Sequence, residues 1–268
     1  MSTGVMGVKL NLRKTLFLLP SLFTLSSIFC GFYAIVLCLG DVDAESFYRA
    51  SFLIVFAMFF DSIDGRVARM TKTQSAFGVQ IDSLADVVSF GVAPGVLLYR
   101  WSLEALGTVG LAVAFAFVAA GAVRLARFNV LATSESGAPK KPGKYIVGLP
   151  IPGAAGVLVS LIVANHAVGG TLGAQPFVVL AIVLTLSFFM VSTISFRSFK
   201  DLRLNWRTVT MIAIALGSSA TLAILFHPSF ALVALLGCYL AMGVAETLFH
   251  LSRRGLRRAP PREDEEEA

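Results

Sequence analysis

Charge is scarce in this 268-residue chain: Asp, Glu, Lys and Arg make up 14% of it, against about 25% in an average soluble domain. With 56% hydrophobic residues and a mean hydropathy of +0.80, that shortage excludes a disordered protein and argues against an ordinary soluble globule. Cysteine is nearly absent. Cys30, Cys38 and Cys238 are odd in number and lie inside apolar runs, so they read as buried thiols rather than a disulfide framework. Histidine is limited to His166, His227 and His250, near run ends and outside any His-based metal motif, which leaves it no catalytic assignment. No Ser–His or Cys–His arrangement points to a covalent intermediate. Zinc-ligand spacing, aromatic–basic recognition motifs and basic amphipathic helices are missing too, so nucleic acid is not expected as a partner.

Long apolar runs are what the chain has instead. A bilayer core takes about 20 apolar residues per helix, and eight stretches qualify: 16–39, 47–66, 78–99, 105–126, 147–166, 176–196, 208–227 and 229–250. The first is too long for a cleavable signal peptide and lacks a small-residue cleavage site. The expected fold is therefore an all-α integral membrane protein. Residues 1–15 form an N-terminal segment, 16–250 the membrane domain and 251–268 a charged tail. Pro150 and Pro152 disfavour a helix interior, so the fifth span should begin there.

The basic residues orient it. The chain has a net charge of +6, and 20 of its 22 Lys and Arg residues fall in the N-terminal segment, in alternate loops and in the tail. Arg49 and Arg100 alone occupy the other loops. Lysine and arginine concentrate on the cytoplasmic side, so an even number of spans with both termini in the cytoplasm is expected, in the cell (inner) membrane. The tail runs from five basic to five acidic residues and reads as a solvated end against anionic headgroups.

Most acids lie in loops or in the tail, and Glu246 near the last span end reads as snorkelling or locally paired. Asp61, Asp64, Asp82 and Asp86 are different, because they flank one cytoplasmic turn at membrane depth. Asp61 and Asp64 are i,i+3 and Asp82 and Asp86 are i,i+4, so each pair shares a helix face. With the turn centred near Thr73, regular helices on both sides bring all four carboxylates to similar depth. A charge in the bilayer costs about 2.5–3.5 kcal/mol on insertion scales, and like charges repel. Something positive must compensate. Arg66 and Arg69 can offset part, but an all-oxygen cluster suits a hard divalent cation such as Mg²⁺ or Mn²⁺. Gly65 and Gly78 carry no side chain and leave a ligand room near the backbone.

The string Asp61-x-x-Asp64-Gly65-x-x-Ala68-Arg69, eight residues, then Gly78-x-x-x-Asp82-x-x-x-Asp86 resembles the full signature of the CDP-alcohol phosphatidyltransferases. That resemblance implies a helical membrane enzyme, usually a homodimer, that moves a phosphatidyl-type group from a CDP-linked lipid to an alcohol and releases CMP. It implies that Asp61, Asp64, Asp82 and Asp86 hold two divalent ions, with Asp86 also the general base. Gly65, Ala68, Arg69 and Gly78 match the positions that contact the CDP-lipid.

Further segments are similar to the bacterial serine-accepting branch of that family. They are Leu19-Pro20-Ser21-Leu22-Phe23-Thr24-Leu25, with Ser21 where that motif has Asn, Arg124-Leu125-Ala126-Arg127-Phe128-Asn129 and Gly148-Leu149-Pro150-Ile151-Pro152. Val191-Ser192 with Phe199-Lys200 resembles a later one. The implied substrates are CDP-diacylglycerol and L-serine, with glycerol-3-phosphate or inositol phosphate as alternative acceptors. Arg124, Arg127 and Lys144 have two readings, as interfacial anchors or as ligands for substrate phosphate or the serine carboxylate. For Lys200 the anchor is favoured. A competing class is a cation transporter with an acidic intramembrane site. Transporters place such sites near the midplane with broken helices in both halves, and the second half of this chain offers no matching acids.

Overall fold

The computed structural model describes residues 12–71, 73, 75–132 and 145–197, together with 217–221, 224, 229–231, 233–238 and 241. Six helices carry the described fold. They are α1 (Leu12–Leu37), α2 (Ala44–Met70), α3 (Ala76–Trp101), α4 (Thr108–Ala132), α5 (Ile151–Ala167) and α6 (Pro176–Val191). The first six expected spans each fall on one of them. The seventh and eighth lie mostly outside the described residues, and Lys144, Lys200, His227, Glu246, His250 and the tail lie wholly outside them.

By length and composition, α2, α3 and the stretch Thr108–Leu131 of α4 can cross a bilayer, and the apolar stretches of α1, α5 and α6 are shorter. Their outward faces are apolar: Phe29 is 65% exposed, Phe115 68% and Phe177 72%. A water-facing surface rarely carries so much uncovered aromatic area, whereas a lipid-facing one requires it. Inside, α1 and α2 meet through small side chains, with Cys30, Ala34, Ala50 and Ala57 buried around Ile54. Helices in lipid gain little from the hydrophobic effect and instead pack by close backbone approach. Cys30 and Cys38 are free and buried.

Local chemistry sets the helix ends. Asp43 caps α2 by accepting hydrogen bonds from the Ser46 backbone N–H at 2.8 Å and from its hydroxyl at 2.6 Å. Those bonds hold the Asp43 carboxyl below its ordinary pKa. At the same end of the bundle, Arg100 donates to the Gly40 carbonyl at 2.6 Å and the Cys38 carbonyl at 3.2 Å, and pairs with Glu104 at 2.8 Å. Arg49 pairs with Glu45 at 2.9 Å. The two arginines that the charge pattern assigns to the outer side are thus each matched by an acid four residues away, which sharpens the asymmetry between the two ends.

The opposite end holds the departure from an all-α chain. Strand β1 (Tyr145–Val147) pairs antiparallel with β2 (Ser195–Arg197), Tyr145 facing Arg197 and Val147 facing Ser195. Next to this ribbon, the Gly148 N–H donates to the Ile194 carbonyl at 2.8 Å and the Leu149 N–H to the Phe189 carbonyl at 3.0 Å. Chain entering α5 and leaving α6 has no helical partners for its backbone groups, and the ribbon satisfies them. Gly148 has φ +78°, and a Cβ there would collide with the Met190 carbonyl oxygen.

Helix α3 is not regular. Residues Val87–Val92 form a π-turn, and the Ala93 N–H reaches back to the Val88 carbonyl. Pro94 follows at once. Proline has no N–H and its ring crowds the carbonyl four residues earlier, and the wider turn relieves both. The π-turn packs on α1, where the Ser89 hydroxyl donates to the Ser27 carbonyl at 2.9 Å. A Cβ on Gly31 would lie 2.7 Å from the Ser89 Cα, so only glycine permits this approach. Gly31→Ala is therefore expected to destabilise the protein by about 1–3 kcal/mol, read as a lower thermal midpoint of the purified protein. An unchanged midpoint would contradict this contact.

Candidate active site

The α2–α3 hairpin turns over five residues. Thr71 ends α2, its N–H and hydroxyl both donating to the Val67 carbonyl at 2.9 and 2.8 Å. Ser75 caps α3 by accepting from the Gly78 N–H at 3.0 Å. Asp64 and Asp61 precede the end of α2 by roughly 9 and 14 Å of helix at 1.5 Å per residue, between that end and the middle of the helix.

Three of the four acids converge as the spacing predicts. One carboxylate oxygen from each of Asp61, Asp64 and Asp82 lies within 4.8 Å of the others. Asp86 stands on the same side, its carboxyl against Asp61 and close to Asp82 and Arg124. Asp64 is buried, and its Oδ2 accepts a hydrogen bond from the Thr24 hydroxyl of α1 at 2.7 Å. Neither Asp61 nor Asp64 forms an ion pair among the described residues. The Asp86 Oδ1 is buried without a hydrogen-bond partner among the described residues, an arrangement that costs about 1–3 kcal/mol or more when nothing satisfies the atom. A converging set of oxygen donors with one acceptor unsatisfied fits a hard divalent cation.

The neighbouring sequence-predicted residues divide into groups. Gly65 and Ala68 are half-buried and Arg66 and Arg69 exposed. Among the described residues a Cβ on Gly65 would meet only the Arg69 guanidinium, at 3.7 Å, which leaves room beside it. A Cβ on Gly78 would sit 3.2 Å from the capping hydroxyl of Ser75, so its bareness serves the helix cap as well as access for a ligand.

Arg124 and Arg127 do not act as a pair. Arg124 is buried beside Asp86, 5.8 Å from the Phe128 ring centroid. Arg127 is exposed and donates to the Val191 carbonyl at the end of α6, at 3.3 Å. There it supports the helix terminus, where a cation is favoured.

Some residues of the site were not assigned by their sequence pattern. Thr24 and Asn129 sit in the segments quoted above, but no local spacing gives them a role. Asn129 donates to the Ser83 hydroxyl at 2.8 Å, tying α4 to α3 next to Asp82. A hydroxyl or amide within an apolar run was the only available signal.

Like charges this close oppose one another. In EDTA, Asp61→Asn should therefore raise the thermal midpoint of the purified protein above wild type, because one repelling charge is gone. Added Mn²⁺ should raise the wild-type midpoint more than the variant's, by ligand linkage. A variant less stable than wild type in EDTA would show that the carboxylates do not strain the metal-free protein.

The family profile described as CDP-alcohol phosphatidyltransferase matches residues 17–191. A CDP-diacylglycerol–serine O-phosphatidyltransferase from Helicobacter pylori (strain ATCC 700392 / 26695) is 36% identical over 234 residues, covering 87% of this chain and 92% of the relative. A protein of the same name from Methanocaldococcus jannaschii is 47% identical over 107 residues, 40% of this chain and 47% of the relative. An archaetidylserine synthase from Methanothermobacter thermautotrophicus is 39% identical over 140 residues, 51% of this chain and 54% of the relative.

Proposed function

The chain belongs to the CDP-alcohol phosphatidyltransferase family, and from that premise we propose how its acidic hairpin performs the reaction. The enzyme transfers the phosphatidyl group of CDP-diacylglycerol to L-serine, giving phosphatidylserine and CMP. The observation that carries the site assignment is the convergence of Asp61, Asp64 and Asp82 beside an Asp86 oxygen left buried and unsatisfied.

Asp61, Asp64, Asp82 and Asp86 are the residues that would hold divalent metal, two ions of Mg²⁺ or Mn²⁺. When bound, the metal supplies charge neutralisation at the pyrophosphate and at the departing CMP. The acyl chains lie among the exposed apolar side chains, and the cytidine diphosphate lies over the hairpin. Room beside Gly65 admits the nucleotide, with Ala68, Arg69 and Gly78 around it. Asp86 takes the proton from the serine hydroxyl as that oxygen attacks the β-phosphorus. A new P–O bond forms to serine, the P–O bond to CMP breaks, and CMP leaves with the bonding pair. Arg124, buried beside Asp86, holds the serine carboxylate, since a guanidinium offers paired donors to a planar anion. Arg127 keeps its structural part at the end of α6.

The proposed topology has eight spans with both termini cytoplasmic and the acids at the cytoplasmic side of the inner membrane. Residues 1–15 and 251–268 lie outside the 16–250 membrane domain, and the protein is a homodimer. The confinement of all four acids to one hairpin favours this reading over a cation pathway, whose site draws on broken helices in both halves.

Purified protein in detergent with CDP-diacylglycerol, Mg²⁺ or Mn²⁺ and a panel of acceptors should release CMP with serine. CMP release with glycerol-3-phosphate or inositol phosphate and none with serine would reassign the acceptor. Asp86→Asn should lower kcat by about 10²-fold or more, the usual contribution of a general base, and a near-normal rate would remove Asp86 from that part. Arg124→Gln should raise the KM for serine by about tenfold or more, whereas Arg127→Gln should leave it near wild type. Equal effects of the two would contradict the division made here.

A further inference from the structure

We propose that Thr24 is a positioning residue for the acidic centre, holding the Asp64 carboxylate in a binding-ready orientation before any cation arrives. The proposal rests on the reading of the four acids as a divalent-cation centre. Thr24 is buried, and its hydroxyl donates to Asp64 Oδ2 at 2.7 Å across 40 residues of sequence. The bond crosses the interface between α1 and α2 and ends on a carboxylate.

The reason lies in the charges that Asp64 faces. Asp61 and Asp82 present oxygens within 4.8 Å of its own, and repulsion favours rotamers that splay the three apart. A hydrogen bond to an ionised acceptor is among the stronger ones, and this one fixes the carboxylate plane against that tendency. Branching at Cβ restricts χ1, so threonine presents its hydroxyl with less freedom than serine does.

The donor also has a firm base. One turn further along α1, Ser27 bonds with Ser89 of the π-turn, and Gly31 permits the close approach. Residues three and four apart share a helix face, so the face of α1 that carries Thr24 is anchored to α3 just beyond Asp86. One helix thus orients an acid from each arm of the hairpin, Asp64 directly and Asp86 through the π-turn.

Mn²⁺ binding tests this without turnover. The full chain is titrated with Mn²⁺ in the presence of CDP-diacylglycerol and the absence of serine, and free Mn²⁺ is read by EPR. Thr24→Val removes the hydroxyl at nearly constant shape and should weaken Mn²⁺ binding about tenfold or more, the usual effect of losing a partner that orients a ligand. Its thermal midpoint in EDTA should fall modestly, because the buried Asp64 carboxylate loses a donor, so the Mn²⁺ titration and the Thr24→Ser rescue carry the test. Thr24→Ser keeps the donor and should restore binding. If valine prevents folding, Thr24→Ala removes the hydroxyl without steric demand. Wild type that binds no Mn²⁺ would overturn the cation centre and this proposal with it. Wild-type binding matched by Thr24→Val, or a loss as large in Thr24→Ser, would overturn the part of Thr24 alone.

Discussion

Mutual repulsion among carboxylates held together between apolar helices is the condition that the rest of this structure answers. Oxygens of Asp61, Asp64 and Asp82 come within 4.8 Å, and Asp86 lies against Asp61. In water such a group would separate. Here α2 and α3 hold it together, because Thr71 and Ser75 close the hairpin in five residues and leave both helices in step. A cation bound among these carboxylates would offset the repulsion, as expected where binding and folding are linked.

The surrounding helices resist that repulsion in different ways. α1 supplies the Thr24 hydroxyl to Asp64 and a glycine-backed contact to the π-turn. α4 supplies Arg124 next to Asp86 and Asn129 to Ser83, one residue from Asp82. Far from the acids, Arg100 clamps the end of α1 through the Cys38 and Gly40 carbonyls, and the β1–β2 ribbon joins the chain around α5 and α6. The π-turn sits where it matters most. It follows Asp86 directly and is explained by Pro94, in keeping with the frequent occurrence of such turns at functional sites.

Much of this was legible in the sequence, and the limit is one of range. The first six helices follow from apolar runs, and the meeting of the hairpin acids follows from i,i+3 and i,i+4 spacing about a single turn. Both are local properties. Sequence alone leaves Arg124 and Arg127 with the same two readings, yet three residues turn a helix far enough that one lies buried near Asp86 and the other bonds the Val191 carbonyl. Which neighbour each meets depends on α3 and α6, and no local pattern carries that. Thr24–Asp64 and Ser27–Ser89 span 40 and 62 residues, so their pairing appears only once the helices are packed. The ribbon escaped for a similar reason: each strand is three residues long, too short to show an alternating pattern.

The central claim is that these aspartates form a divalent-cation centre, and anomalous diffraction at the manganese edge from crystals grown with Mn²⁺ and CDP-diacylglycerol addresses it most directly. The account predicts manganese density bounded by Asp61, Asp64, Asp82 and Asp86. Manganese bound only elsewhere on the protein, with the four carboxylates satisfied by Arg124 or water alone, would contradict it.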